Sequence, residues 1–527
     1  MPSYQPGFSS SVRPETEMNA FFRRIFRRKK VEKSADKEKE SLVTDTMPVS
    51  LAKTKEGKSK NRAKPTENAS ICIIGGGVSG LTAALTASKE LNSKEKIILL
   101  ESSGSMGGRV QSDTTIDGYT LDRGFAVFIE NYPKARELLN YDALKLKKFL
   151  PGALVKLEDE NELARVADPL RQPGELFTAL FAPVGNFADK LALLLMIFDV
   201  NSKSIPDLFD EEESDTLSYL QSKWGLSDSM LDCFFKPFLE GIYLAPLEEQ
   251  SSRMFSFVFK MFSEGAATLP QGGMGAVSKQ LVETVEKLGV DIRLEHPVSR
   301  IHSTEDGFLV QTEDGKTAIQ AKTVIIATDG HIAQKIVSQL EGFETLEESP
   351  EQPQRSVGCL YYGFEGTPPV TDPILILNGI GQRRGDKANP VNNVCFPSVV
   401  NEGYAPEGYS LCSATVLKGA MDAYKGREDE LDDAVRKQLA TWFPGYEYDI
   451  MKKWELKRIY KIPNAQPGQL KGPFPANVNG GRDCTTFRGM GLPKGLFLCG
   501  DHMATATLNG ALESGANAGI AAAKLFS

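Results

Sequence analysis

The stretch SICIIGGGVSGLTAAL, residues 70–85, decides the fold. A β-branched apolar run enters a cluster of glycines and leaves as an Ala/Leu-rich segment, the order strand, turn, helix. Gly75, Gly77 and Gly80 stand at the three positions of GxGxxG. In that spacing the first glycine makes a tight turn, the second lets the backbone approach a pyrophosphate, and the third permits close helix–strand packing. The helix N-terminus then favours the anion. Val78 and Ser79 complete the turn and belong with it as candidate cofactor contacts. The next strand, KIILLE, ends at Glu101, 21 residues after Gly80. A carboxylate there accepts hydrogen bonds from ribose hydroxyls and disfavours a 2'-phosphate; Ser102 follows it as a further candidate contact. A plain tight βα turn would also use glycines, but strand, helix and acidic residue together point to dinucleotide binding.

The chain has 527 residues, 41% of them hydrophobic, enough for two or three domains with a sizeable core. Its net charge of −8 is unevenly spread: residues 1–68 hold 16 Lys/Arg against 9 Asp/Glu, and the remainder 45 against 60. An acidic body argues against nucleic acid as a partner. The cysteines, at 72, 233, 359, 395, 412, 484 and 499, form no CxxC pair, and with the histidines at 296, 302, 331 and 502 they give no metal-ligand spacing. A reducing compartment and no metal are expected. The most lipid-like run, LALLLMIF (191–198), is too short to span a bilayer.

Residues 1–68 lack sustained apolar periodicity and read as a disordered basic extension. Within it NAFFRRIFRRKK (19–30) is a basic amphipathic patch that fits contact with an anionic membrane, targeting to an organelle, or a solvated tail. Acidic residues at 15, 17, 32 and 36 make it an imperfect transit peptide, and no secretory h-region is present. Beyond it, α/β elements come in three separated pieces. The expected organisation is one sheet domain built from 69–148, 266–333 and 481–527, interrupted by insertions at 149–265 and 334–480 that form the other half of a cleft.

A family resemblance rests on five stretches in order: GGGVSGLTAAL (75–85), LLESSGSMGGRVQS (99–112), GYTLDRGFAVF (118–128), PQGGMGAVSKQL (270–281) and GLFLCGDHMATATLNGALESGANAG (495–519). They resemble the FAD-containing amine oxidase superfamily, which includes monoamine oxidases, protoporphyrinogen oxidases, phytoene desaturases and carotenoid isomerases. The resemblance implies an α/β fold, a Rossmann-like FAD-binding domain in three pieces with an inserted α+β substrate domain. It also implies that Gly108 and Arg109 lie near the flavin and its diphosphate, that the backbone of Val298 contacts adenine, and that Gly500 and Asp501 meet the ribityl and diphosphate groups. The helix starting near Asn509, Gly510 and Ala511 would direct its positive end at the flavin.

No catalytic residue stands out, because a flavin supplies hydride acceptance and the protein need only position a C–H bond and exclude water. The amine oxidase pattern places a Cys-Tyr pair ahead of the C-terminal motif, whereas this chain reads YKIPNAQPGQ (460–469), closer to protoporphyrinogen oxidases and desaturases. Cys484 does not match the position that holds flavin covalently, so the expected cofactor is non-covalent FAD. The apolar segments at 177–198, 232–247 and 254–262 either line a channel for a small hydrophobic substrate or serve as ordinary core. Desaturase or oxidase chemistry leads, with a polyene isomerase and an amine oxidase as alternatives.

Overall fold

The computed structural model of the chain describes residues 64–91, 95–158, 160–167, 183–471 and 483–527. Met1–Arg62 separates from Ala63–Ser527 as a unit of its own. The disorder expected of the N-terminal extension and the patch at 19–30 therefore lie outside the described residues. The extension ends earlier than residue 68, however. Strand β1 spans Glu67–Ile74, and just before it the Thr66 N–H donates to the Ala318 carbonyl at 2.8 Å.

β1 leads through the glycine turn into helix α1, Val78–Glu90, and then into β2, Ile97–Leu100. Together with β3, Ala318–Ile326, these strands form the centre of a seven-stranded sheet. The order is 291–293, β2, β1, β3, 307–312, 298–304, and the first four strands run parallel. One edge of β3 is shared: its first half pairs antiparallel with 308–311, and its second half pairs parallel with Leu496–Leu498. Strands covered on both faces need apolar residues at every position. Ile71 and Ile73 accordingly face one core with α1, while Cys72 and Ile74 face another with Ile336 and Val337. The helix Gly330–Val337 runs past residue 334, where the second insertion was expected to begin.

A second seven-stranded sheet draws its strands from 152–167 and 354–467. Its long strand 354–365 lies between 409–417 and β4, Glu455–Pro467, with both pairings antiparallel. The two parts meet at Asp122, whose buried carboxylate accepts from Ser112 Oγ (2.5 Å), the Met274 N–H (2.8 Å) and the Tyr404 hydroxyl (2.7 Å). Burial pushes this carboxyl up and the three donors pull it back.

The contact that positions the functional region is between α1 and the last helix, α5, Leu508–Ala523. A Cβ added to Gly515 would stand 2.2 Å from the Ser79 carbonyl oxygen, and one on Gly519 2.4 Å from that of Ala83. The backbones approach because these two side chains are absent. Ser79 Oγ donates to the Ala511 carbonyl at 2.9 Å and Thr86 Oγ1 to that of Ala516 at 3.2 Å, fixing the register. Gly515→Val should cost about 1–3 kcal/mol or more through overpacking against backbone that cannot move aside. The exposed helical Gly419, with no atom of the described residues within 4 Å of its missing Cβ, should accept alanine with no loss. Urea unfolding of the two variants against the wild type checks both expectations.

Candidate functional site

At the glycine turn, two of the three motif glycines are required by the protein itself. Gly75 has φ +111°, and a Cβ there would come within 2.7 Å of the Ala327 carbonyl oxygen; on Gly80 it would be 1.9 Å from that of Gly75. Gly77 differs, since no atom of the described residues lies within 4 Å of its missing Cβ. It caps α1 with extended backbone and no side-chain hydrogen bond, so open space lies in front of a helix N-terminus. Val78 and Ser79 are buried in the first turn of that helix.

Glu101 is 8% exposed and held by backbone amides: one oxygen accepts from Gly76 N–H (2.7 Å), the other from Ser103 N–H (2.8 Å), with Ser102 Oγ at 3.3 Å. A carboxylate has about four lone-pair sites, so capacity for ribose hydroxyls remains. The segment before Val298 runs alongside, with His296 N–H donating to the Glu101 carbonyl and Glu295 N–H to that of Ser103. Val298 opens the strand 298–304, partly buried. The second glycine pair docks on the first turn. Gly107 N–H donates to the Gly76 carbonyl at 2.8 Å, and a Cβ on Gly108 (φ +59°) would stand 3.2 Å from Gly77 Cα.

Arg109 and Asp501 were read from the sequence as separate cofactor contacts, and the fold joins them. The guanidinium grips Asp501 with two bonds of 2.8 Å, reaches Asp329 at 3.2 Å and donates to the Ala465 carbonyl at 3.2 Å. Burial disfavours its charge, but Asp501 and then Asp329 outweigh that and hold Arg109 above the usual range. Gly500 is anchored by its N–H on Ser514 Oγ at 3.0 Å, and Asp501 follows in a short 3₁₀ turn. Helix α5 starts at Leu508, capped by Thr507 Oγ1, which accepts from Gly510 N–H at 3.0 Å. Asn509 is turned elsewhere, its amide oxygen accepting from Lys134 N–H at 2.8 Å. Ala511 receives the Ser79 hydroxyl, and a Cβ on Gly510 would collide with the Thr505 carbonyl at 2.0 Å.

Several participants went unread in the sequence. Thr507 carried a visible signal, a Thr before a helix, and Asp329 follows a strand end much as the glycine turn does. Gln469 is fully buried and holds the loop ahead of α5, donating to the Ala504 carbonyl (2.7 Å) and accepting from Ala506 N–H (2.8 Å). Gln466 donates to the Ile242 carbonyl at 2.9 Å. The stretch resembling protoporphyrinogen oxidases thus serves at least to fasten the loop before α5.

The apolar segments prove to be both core and lining. In helix α4, Ser252–Glu264, Phe255 and Phe257 are buried in the core, whereas Phe259 and Phe262 line a cavity of about 270 Å³. The cavity is further bounded by Phe149, Phe234, Phe238 and Ile242. Phe234 lies on a π-helical turn, Leu231–Phe235, that runs into helix α3, Lys236–Tyr243, a distortion frequent at functional sites. The part of the first segment before residue 183 lies outside the described residues.

His502 follows Asp501 with both ring nitrogens buried and no hydrogen-bond partner for either among the described residues. Burial holds its pKa down to about 4, with Asp501 opposing and Arg109, Arg488 and His331 adding to the depression. The neutral imidazole is therefore the folded form. An unfolded histidine takes its proton near pH 6.5, so the stability contributed is complete above 6.5 and drains away as pH falls toward 4. Relative to His502→Gln, the wild type should lose up to about 2 kcal/mol between pH 7 and pH 5, measured by denaturant unfolding at each pH.

Comparison with known proteins matches residues 78–521 to the family described as flavin containing amine oxidoreductase. A carotenoid 3,4-desaturase from Haloarcula japonica is 25% identical over 377 residues, 64% of this chain and 74% of the relative. Among solved structures, an oxidoreductase from Methanosarcina mazei superposes with a TM-score of 0.63 at 18% identity, covering 84% of this chain and 98% of that one. A putrescine oxidase superposes at 0.61 and 19%, covering 88% and 100%. Both share the mixed α/β fold. With the family match extending over most of the sequence, the chain belongs to the flavin-containing amine oxidoreductases and is an FAD-dependent oxidoreductase.

Proposed function

We propose that the chain removes hydride from a hydrophobic organic substrate, in the manner of a desaturase or oxidase, with FAD held non-covalently at the glycine turn. The observation that carries this reading is the cavity of about 270 Å³, walled mostly by apolar residues, Phe, Leu, Ile and Val foremost. Such a wall stabilises an apolar ligand by area removed from water and offers few groups to orient a small polar amine. The relative from Haloarcula japonica, a carotenoid 3,4-desaturase by name, supports the same substrate class.

The residues present fit the cofactor. Space in front of Gly77 would be filled by any Cβ, and the N-termini of α1 and α5 lie side by side there, favouring negative charge. Glu101 keeps acceptor capacity for a ribose, and Val298 stands on the segment beside it. In this reading Gly108, Arg109, Gly500 and Asp501 line the cofactor crevice, with Ser102, Asn509, Gly510 and Ala511 as further contacts, that of Asn509 through its backbone because its side chain is held by Lys134 N–H. Bound FAD supplies hydride acceptance; the chain's own residues bind, orient and exclude water. Burial pushes the Cys484 thiol up to about 11, which makes it a poor nucleophile and supports non-covalent attachment. In this reading 69–148, 266–333 and 481–527 form a Rossmann-like FAD-binding domain, and 149–265 with 334–480 the substrate domain.

The purified protein should be yellow, and Gly77→Val should be colourless, since a branched side chain occupies the pyrophosphate path. On anaerobic mixing, benzylamine or putrescine should leave the flavin oxidised while a polyene bleaches it. Rapid bleaching by either amine would overturn the reading, and polyene conversion at constant flavin absorbance would favour an isomerase.

Peripheral membrane contact is part of the proposal. Helix α2, Phe187–Asn201, exposes Phe187 (69%), Leu191 (49%) and Phe198 (65%) along one stripe, and no helix among the described residues is long and apolar enough to cross a bilayer. Phe187→Ser with Phe198→Ser should lower co-flotation with phosphatidylcholine vesicles several-fold; unchanged flotation would count against contact through this helix.

A further inference from the structure

Among the described side chains of the cavity wall, only Lys190, Ser263 and Asn393 are polar. Lys190 and Ser263 are partly exposed, whereas Asn393 is 3% exposed. It stands in the strand Val391–Cys395, whose pairing with 409–417 shifts register between Val391 and Asn393. Neighbouring residues of a regular strand point to opposite faces, and a bulge of this kind re-aims one of them. Here it lets two adjacent amides meet, Asn392 Nδ2 donating to Asn393 Oδ1 at 3.0 Å. Helix α3 lies against the pair at Gly241, itself part of the cavity wall. A Cβ there would stand 2.9 Å from Asn392 Nδ2 and 3.0 Å from Asn393 Oδ1.

The amide pair ends a chain of hydrogen bonds that begins at a charge. Arg384 Nη1 donates to Glu240 Oε2 at 2.7 Å and to Asn392 Oδ1 at 2.9 Å, and both charged side chains are largely buried. Asn392 spends its two N–H groups on Asn393 and on the Pro237 carbonyl (2.9 Å). Asn393 is less fully engaged. A carboxamide has two N–H donors and two acceptor lone pairs. Among the described residues Asn393 accepts once, from Asn392, and donates once, to Thr415 Oγ1 at 3.2 Å. One N–H and one lone pair are left over in an apolar wall, where an unmade hydrogen bond is costly. The Arg384 charge, relayed through Asn392, polarises that N–H and strengthens it as a donor.

We propose that Asn393 binds a neutral oxygen function of the substrate, so that the ligand class is a long apolar molecule carrying a hydroxyl or carbonyl group rather than a bare hydrocarbon. This rests on reading the cavity as the substrate site. A hydroxyl suits the amide best, since its oxygen accepts the spare N–H and its proton meets the spare lone pair. A hydrocarbon fills the same space and leaves both unpaired.

The test compares two probes with the same polyene body, all-trans-retinol and its deoxy hydrocarbon, axerophthene, binding to the flavin-loaded enzyme by tryptophan quenching. A wholly apolar cavity favours the hydrocarbon, because the alcohol must give up its bonds to water. The wild type should instead hold the alcohol about tenfold more tightly, as one buried hydrogen bond provides. Asn393→Leu, close to the amide in size, should reverse the order; Asn393→Val, suited to a strand, should do the same if leucine overpacks. Equal binding of the two probes to the wild type, or tighter binding of the hydrocarbon, would overturn the oxygen contact while leaving the apolar cavity as the substrate site. Preference for the alcohol persisting in either variant, once its flavin absorbance shows it folded, would overturn the role of Asn393. Binding of neither probe would overturn this inference and the cavity reading together.

Discussion

The distance between two helix backbones governs the rest of this molecule. Gly515 and Gly519 let α5 lie directly on the first turns of α1, close enough for Ser79 to bond the Ala511 carbonyl. Two helix N-termini are thereby set side by side at the end of a parallel sheet, and a combined partial positive charge faces the open space before Gly77. The anchoring propagates outward. Ser514, one residue from Gly515, takes the Gly500 N–H, which sets Asp501, which in turn sets Arg109. A side chain at either glycine would disturb the crevice without touching it.

The buried polar groups of the fold and the apolar groups around the cavity solve opposite problems. Glu101, Gln469 and Asp122 are each buried, and each devotes its oxygens or amide to named donors and acceptors, which rigidifies loops that would otherwise carry unpaired backbone. The cavity has almost no such equipment. Its shape comes from Phe side chains on a π-helical turn and on one side of α4, where directionless packing suffices.

Legibility in the sequence followed the range of the interaction. The glycine turn, Glu101 and the helix after Thr507 are local patterns, and each stands where its spacing indicated. The Arg109–Asp501 pair joins residues 392 apart, and no spacing rule could have turned two separate contacts into one ion pair. Phe255 and Phe257 could not be told from Phe259 and Phe262, because all four are apolar and only tertiary packing decides which meet core and which meet empty space. The start of β1 at Glu67 was missed because a charged, polar opening, Glu67 and Asn68, pairs with β3 through backbone alone.

The shared edge of β3 bears on how the protein comes to exist. Its second half waits for Leu496–Leu498, and α1 waits for a helix whose first contact is 432 residues downstream. Closing contacts of such separation carries a large chain-entropy cost and slows folding. On the ribosome, the glycine turn emerges 432 residues ahead of the helix contact that covers it. Over that interval Ile- and Val-rich parallel strands stay exposed, the condition that makes nascent chains prone to aggregate and that chaperones counter.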